Sequence, residues 1–279
     1  MKTLYVSDMD GTLLGSDSQV SRASAEILSE LATEGALVTV ATARTPATVV
    51  PLLAQTHITT PAIVMTGAAM WDWETRSYTD LHFHSPEDCQ RVRRVCADCG
   101  ISPFTYTLPP GDILQVYHPS RVMNSAEFSF IEQRRHLKLK RFHVGMPTPD
   151  QADTQTLLFY AMGSTDKIVS VARLLDSETD CSISAYPDIF NPDISMLEIF
   201  APDVTKASAI RRLRRRLGAD RVVVFGDNLN DIPMMREADL AVAVDNALPA
   251  VHQAAHISIG PNFTDAVAHF IREDFHKTN

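Results

Sequence analysis

Short apolar segments alternate with amphipathic segments at both ends of the chain. The apolar segments have the length of buried strands, whereas the amphipathic ones repeat apolar residues at helical spacing. This alternation predicts a parallel sheet with helices on both of its faces. The first part predicts strands at 3–7, 36–41 and 62–65, with helices at 21–33 and 46–55. The last part predicts helices at 205–217, 231–237 and 264–272, and strands at 222–225 and 240–244.

The pattern changes in the middle of the chain. Helices are predicted there at 86–97 and 165–175, with strand-like segments at 101–108, 113–117, 156–161, 181–185 and 195–200. Turn-forming residues flank this block, beginning with Ser85 and Pro86 and ending with Pro187, Asp188, Asn191, Pro192 and Asp193. We therefore predict an α/β protein with a Rossmann-like core, residues 1–82 and 193–279, and an inserted α+β domain, residues 83–192.

Composition excludes two classes of partner. A formal net charge of -9 repels nucleic acid and anionic membranes on average. A basic run on the predicted helix 205–217, at 211–216, lacks interleaved aromatic residues and is interpreted as a solvated helix face. No segment approaches the roughly 20 apolar residues of a membrane span, and the first residues do not form a signal peptide. We expect a cytoplasmic protein, either a monomer or a small homo-oligomer.

The cysteines and two histidines are interpreted as structural. Cys89 and Cys96 fall in one predicted helix, and Cys99 follows just after it. Cys96 and Cys99 form a CxxC, but the second pair of ligands that a zinc site would need is missing. His82 and His84 are two positions apart on a possible strand, but two ligands alone are weak evidence for a metal.

The strongest chemical motif follows the first predicted strand. Asp8 and Asp10 are separated by one residue, and Gly11 comes next. Ligands bind at the carboxyl ends of parallel strands. Both carboxylates can serve one substrate only if the chain turns directly after Asp8, and Gly11 permits that turn. An isolated aspartate pair is usually a turn or a cap, but its position after a buried strand favours a nucleophile beside an acid or base.

A second polar segment, 226–231, also follows an apolar strand. It contains Asp227, Asn230 and Asp231, which offer the oxygen ligands that Mg²⁺ prefers. The structural alternative is a helix cap at Asp227 or Asn228. A cap needs only one such residue, so the number of polar positions favours a site.

Two weaker signals complete the set. Thr42 ends a strand just before the helix that opens at Pro46, a place where a phosphate oxygen can bind. Lys206 lies at the start of a helix, where the helix dipole disfavours a cation, so it needs an anionic partner. Each of these signals alone also fits an ordinary helix start or a surface lysine.

These four motifs in this order resemble the haloacid dehalogenase superfamily, and within it the Cof-type phosphatases of subfamily IIB with a type 2B cap. The resemblance covers the core and only the outline of the cap. Three positions depart from the usual family motifs, namely Ala43, Thr66 and Ala207, and none of them removes a reactive group.

The resemblance implies a role for each motif. Asp8 attacks phosphorus, Asp10 acts as acid and then base, and Thr42 and Lys206 bind the transferring phosphoryl group. Mg²⁺ is bound by Asp8, Asp227 and the backbone carbonyl of Asp10. The residues expected to support the metal, the lysine or the substrate are Gly11, Thr12, Ala43, Arg44, Asn230 and Asp231. For Arg44 an equal alternative is a surface salt bridge.

The implied function is a magnesium-dependent phosphatase of small phosphorylated metabolites, such as sugar phosphates, that works through a phosphoaspartate on Asp8. Two alternatives stay open. A phosphomutase of the phosphomannomutase type shares the nucleophile and the cap, and a non-catalytic metabolite-binding protein shares the scaffold.

Overall fold

The computed structural model describes residues 1–188, 191 and 193–278. Its strands, numbered in chain order, are β1 (Thr3–Ser7), β2 (Leu37–Val40), β3 (Ala62–Val64), β4 (Ala69–Asp72), β5 (Ser77–Thr79), β6 (Phe104–Thr107), β7 (Leu114–His118), β8 (Lys140–Val144), β9 (Thr156–Ser164), β10 (Ser182–Pro187), β11 (Ile194–Phe200), β12 (Arg221–Gly226), β13 (Leu240–Val244) and β14 (Ile257–Ile259). Its α-helices are α1 (Arg22–Thr33), α2 (Pro46–Leu52), α3 (Pro86–Asp98), α4 (Ser125–Glu132), α5 (Thr165–Glu178), α6 (Lys206–Leu217), α7 (Ile232–Glu237), α8 (Pro249–Ala254) and α9 (Ala266–Thr278).

The chain forms two compact units. The first consists of Met1–Asp80 and Thr205–Asn279, and the second is Leu81–Val204. In the first unit, five parallel strands are ordered β14-β13-β12-β1-β2. An antiparallel sheet of β3, β4 and β5 lies beside β2, which it joins through a parallel bridge between Ala41 and Ile63. The predicted parallel sheet is therefore confirmed.

Both faces of the parallel sheet are covered by helices. Alternate residues of β1 and β12, such as Leu4 and Val224, pack with α6 and α7 in one buried cluster. Residues on the opposite face, such as Phe225, pack against α9, where Phe225 and Phe270 form an edge-to-face pair. Because strands buried on both faces must be apolar throughout, their sequences are continuous apolar segments.

The second unit has a six-stranded sheet in the order β10-β11-β9-β6-β7-β8. Its neighbouring strands are antiparallel except for β7 and β8. Helices α3 and α5 pack on one face through Val92, Ile168 and Val171. This is the α+β architecture expected for the insert.

The second boundary between the units lies at 204/205 instead of the predicted 192/193. Strand β11 is hydrogen-bonded along its length to β9 and β10, so the residues up to Val204 belong to the second unit. The first boundary lies at 80/81 instead of 82/83. Pro192 and Asn279, which were assigned to the edge of the insert and to the core, lie outside the described residues.

Some elements were not predicted. Strands β4, β5, β8 and β14 and helices α4 and α8 were missed, and α9 extends six residues beyond the predicted end at 272. Strand β8 begins within a basic segment, 134–141, whose charges obscure the apolar alternation of the strand. Among the helices of the described chain, none has the length and apolar character that crossing a membrane requires.

Candidate active site

The polar segments predicted from the sequence meet at one edge of the parallel sheet. Strands β1, β2 and β12 are aligned so that Ser7 pairs with both Val40 and Phe225. Asp8 therefore follows β1 beside the segment that follows β12, and the backbone N–H of Asp8 donates to the Phe225 carbonyl at 2.9 Å. Parallel strands end at a common edge, which brings residues distant in sequence into one site.

The ammonium group of Lys206 lies between two buried carboxylates. Its Nζ donates to Asp8 Oδ1 at 2.5 Å and to Asp231 Oδ1 at 2.8 Å. Lys206 is the first residue of α6, where the helix dipole disfavours a cation. The two carboxylates supply the compensating charge, so the expectation of an anionic partner for Lys206 is confirmed.

A tight turn places Asp227 beside the end of β1. The chain bends at Met9–Leu13, where Gly11 has a φ of +80°. Thr12 Oγ1 donates to Asp227 Oδ1 at 2.8 Å. A Cβ atom on Gly11 would lie 2.4 Å from Asp227 Oδ2, so both the backbone conformation and the close approach require glycine.

Asp231 connects the lysine to the loop after β12. Its Oδ2 accepts hydrogen bonds from the backbone N–H groups of Asp227 and Asn228, each at 3.1 Å, and its side chain is fully buried. A Cβ on Gly226 would lie 2.6 Å from that of Asp231. The predicted helix cap is present one residue after Asp227, since the Asn228 side chain accepts from the N–H of Leu229.

Asn230 is placed differently from its neighbours. It lies on the 3-10 turn Leu229–Asp231 and is exposed to solvent. The structure therefore brings Asp227 and Asp231 into the buried cluster and leaves the Asn230 side chain at the surface of the turn.

Asp10 and Arg44 form a two-pronged ion pair. Arg44 Nε donates to Asp10 Oδ2 at 2.7 Å, and its Nη2 donates to Asp10 Oδ1 at 2.6 Å. The Asp10 side chain is 54% exposed. The salt bridge considered for Arg44 is thus present, and its partner is itself a predicted site residue.

Thr42 is buried next to this pair. Its hydroxyl oxygen accepts the backbone N–H of Arg44 at 3.1 Å, and half-buried Ala43 lies between the two. A hydroxyl that accepts one bond keeps its own hydrogen as a donor. Thr42 therefore can donate to an anionic oxygen, as its predicted role requires.

Asn246 is a site residue that sequence reasoning missed. Its side-chain amide nitrogen donates to the Gly11 carbonyl at 2.8 Å, and its Oδ1 accepts the backbone N–H of Asn262 at 2.9 Å. It follows β13 at the same edge of the sheet. A polar pair, Asp245 and Asn246, directly after an apolar strand was the available signal.

The buried cluster carries excess negative charge. Oxygen atoms of Asp8, Asp227 and Asp231 lie within 4.8 Å of one another. Burial raises the pKa of Asp8 to about 7 against the lowering effect of Lys206, and the charge of Asp231 contributes to this rise. Burial also raises the pKa of Asp227 to about 6. Burial lowers the pKa of Lys206, but Asp8 and Asp231 more than offset this, so the net shift is upward.

This charge balance fits a bound cation. Three carboxylates and one ammonium have a formal charge of -2, and all of the donor atoms are hard oxygens. A hard divalent cation prefers such ligands and would compensate the charge.

The family model of haloacid dehalogenase-like hydrolases matches residues 5–271. The chain belongs to this family. The predicted family and the predicted enzymatic nature are thereby confirmed.

Relatives of this hydrolase match along nearly the whole chain. The 5-amino-6-(5-phospho-D-ribitylamino)uracil phosphatase YitU of Bacillus subtilis is 24% identical over 98% of this chain and 97% of its own length. A haloacid dehalogenase-like hydrolase from Bacteroides thetaiotaomicron has a TM-score of 0.77 at 21% identity, covering 99% of this chain and 100% of the other. The subclass IIB sugar phosphatase BT4131 has a TM-score of 0.73 at 20% identity, covering 99% of each chain. The predicted fold is confirmed.

Proposed function

We propose that this hydrolase is a magnesium-dependent phosphatase of small phosphorylated metabolites that forms a phosphoaspartate on Asp8. One observation carries the proposal: the Asp8 carboxylate is buried against Lys206 and lies next to Asp227. A nucleophile that attacks a phosphate dianion needs nearby positive charge, and this site is built around one ammonium and a cation-binding carboxylate cluster. The phosphatases named among the relatives support the same reaction.

In the first step an Asp8 oxygen attacks phosphorus, and the bond from phosphorus to the substrate's ester oxygen breaks. Lys206 and the Thr42 hydroxyl hydrogen-bond the phosphoryl oxygens, whose charge they stabilise. Asp10 gives a proton to the departing oxygen, so that an alcohol leaves. The products of this step are the free alcohol and the phosphorylated Asp8 side chain.

In the second step water attacks the phosphorus atom of phosphorylated Asp8. Asp10, now a carboxylate, accepts the proton of that water. The bond between Asp8 and phosphorus breaks, which releases inorganic phosphate and restores the aspartate. Covalent catalysis thus divides one difficult hydrolysis into two easier displacements.

Asp8, Asp227 and the backbone carbonyl of Asp10 are the proposed Mg²⁺ ligands. When bound, the ion supplies positive charge that reduces repulsion between the anionic nucleophile and the anionic phosphate. Asp231 acts on Lys206 and on the loop after β12, through the contacts described above.

The substrate class is proposed from the relatives and from the inserted unit. The names of YitU and BT4131 specify a phosphorylated ribityl compound and sugar phosphates, respectively. We assign substrate choice to the inserted unit as the cap, with the boundaries Leu81–Val204. A panel of phosphorylated sugars, nucleotides and cofactors would identify the preferred substrate.

The test is the hydrolysis of an aryl phosphate with and without magnesium. Chelation should abolish turnover, and Asp8→Asn should lower kcat by at least about a thousandfold, as removal of a covalent nucleophile commonly does. Asp17→Asn is the matched control, because Asp17 is an exposed loop residue of the same unit. Unchanged turnover in Asp8→Asn would reject the proposed nucleophile.

Measured free phosphate separates the alternatives. A phosphomutase would return the phosphoryl group to a sugar hydroxyl and release little phosphate. A non-catalytic protein would hydrolyse no member of the panel while still binding magnesium.

A further inference from the structure

His84 has one ring nitrogen committed to the backbone. It is 2% exposed and precedes α3. Its Nε2 lies 3.1 Å from the Ile199 carbonyl oxygen. Because a carbonyl only accepts, Nε2 carries the hydrogen, and Nδ1 of the neutral ring keeps a free lone pair. Burial, which lowers the pKa of His84 to about 4, keeps the ring neutral at pH 7.

The free nitrogen of His84 faces a thiol. Cys181 Sγ lies 3.9 Å from His84 Nδ1, although the two residues are 97 positions apart in the chain. Cys181 is 8% exposed and immediately precedes β10. Packing of the His84 ring edge-on against Phe159, with centroids 5.2 Å apart, fixes the direction of its nitrogens.

Asp88 supplies a third donor. It lies in the first turn of α3, and one of its carboxylate oxygens accepts the Ser85 hydroxyl at 2.7 Å. The donor atoms of His84, Asp88 and Cys181 all lie within 4.8 Å of one another. Ser85, the N-cap of α3, thus orients the carboxylate towards a neighbouring imidazole and thiol.

The separation between Cys181 Sγ and His84 Nδ1 is close to that found in a zinc site. With Zn–S near 2.3 Å and Zn–N near 2.0–2.1 Å, tetrahedral geometry separates the sulfur and nitrogen by about 3.6 Å. The observed 3.9 Å is within a few tenths of that value. Histidines that bind metals commonly donate the other ring N–H to a backbone carbonyl, as His84 does to Ile199.

We propose that His84 Nδ1, Cys181 Sγ and an Asp88 carboxylate oxygen form a Zn²⁺ site in the inserted unit, with water as the fourth ligand. On binding, the Cys181 thiol loses its proton to solvent and becomes the thiolate ligand. Sulfur and imidazole ligands select zinc over magnesium, whereas the all-oxygen cluster around Asp8 has the opposite preference. This site is independent of the proposed phosphatase activity.

Cobalt titration of the full-length, metal-free protein tests the proposal. Co²⁺ occupies zinc sites, and its bond to a thiolate gives a charge-transfer band in the near ultraviolet that carboxylate ligands cannot give. We expect this band to saturate at one equivalent per chain at the thiolate site and to disappear when Zn²⁺ is added. No band in the wild-type protein would overturn the proposal and leave a simple Cys181–His84 hydrogen bond.

Variants identify the ligands. Cys181→Ser should remove the band, whereas Cys99→Ser, which changes a cysteine outside the cluster, should keep it. Asp88→Asn, a partly exposed position, should weaken zinc binding by more than the about 10- to 100-fold that loss of an outer hydrogen-bond partner causes. Far-ultraviolet circular dichroism would check that each variant is folded. A band that persists in Cys181→Ser would overturn the assignment.

Discussion

At the scale of single residues, Lys206 is the member of the site whose surroundings are most demanding. It occupies the unfavourable end of a helix dipole and is almost completely removed from water. Both penalties are offset by Asp8 and Asp231 together. The same contacts that stabilise the lysine hold the proposed nucleophile, so stability and chemistry depend on one cluster.

Lys206→Met should therefore impair both properties. Removing one partner of a buried ion pair costs about 3–5 kcal/mol of unfolding free energy. Loss of a charge that stabilises the transition state should lower kcat by about 10²–10³-fold. Urea denaturation and phosphatase assays measure the two effects. Lys167→Met changes an exposed lysine and should change neither; normal turnover in Lys206→Met would contradict the role of Lys206.

Gly11→Ala separates close approach from backbone strain. A Cβ at Gly11 would clash with the Asp227 carboxylate. At Gly35, which has a φ of +89°, a Cβ would have no atom within 4 Å. Both variants should lose about 1–2 kcal/mol of unfolding free energy, because alanine is disfavoured in the left-handed conformation. Only Gly11→Ala should also raise the magnesium concentration needed for half-maximal activity. Equal magnesium requirements in the two variants would show that the contact with Asp227 does not matter.

At the scale of elements, strand ends decide what the sequence can reveal. Asp8, Thr42 and Asp227 were predictable because each follows an apolar strand of a parallel sheet. Arg44 was predictable as a site residue, but its ion pair with Asp10 depends on the angle of the loop. The pair of His84 with Cys181 was missed because the sequence shows neither the register of β10 and β11 nor the packing of α3.

The N-terminus of α6 connects an element to the chemistry. Thr205 Oγ1 accepts the backbone N–H of Ser208 at 3.0 Å and so caps the helix that begins with Lys206. Thr205→Ala should lower the unfolding free energy by about 1 kcal/mol, the usual effect of losing an N-cap. It should also lower kcat, because Lys206 is the next residue.

Ser21→Ala is the matched control for Thr205→Ala. Ser21 caps α1 in the same unit by accepting the N–H of Ser24, and α1 carries no predicted site residue. Denaturation should show similar destabilisation of the two variants, and kinetics should show slower turnover for Thr205→Ala alone. Slower turnover in both variants would mean that the effect arises from lost stability instead of lysine placement.

At the scale of the whole molecule, the two units respond to pH through different buried groups. The cluster of Asp8, Asp227 and Lys206 belongs to the first unit, and buried Lys140 belongs to the second. Burial, together with the charge of Arg134, lowers the pKa of Lys140 to about 7. Its Nζ lies 5.3 Å from the ring centre of Phe142 and 5.8 Å from those of Tyr106 and Phe130.

Because the pKa of Lys140 is lowered, we expect the second unit to become more stable as the pH rises above 7. Between its folded pKa of about 7 and its unfolded value of 10.5, the unfolded chain binds a proton that the folded chain does not. Unfolding free energy therefore increases with pH across this window, by at most about 3 kcal/mol between pH 7 and 9. Above pH 9 the buried cysteines Cys89 and Cys96, whose pKa burial raises to about 12, act in the opposite direction.

Lys140→Met isolates this contribution, because it replaces the ammonium with an apolar group of similar length. Urea denaturation at pH 7 and pH 9 should show that the wild-type second unit gains stability relative to the variant. Lys138→Met, two residues earlier, is the control and should follow the wild type. Since the two units need not unfold together, each transition requires its own probe. If the stability of Lys140→Met and of the wild type changed with pH in the same way, Lys140 would be protonated in the folded protein at both pH values. That result would contradict the lowered pKa of Lys140.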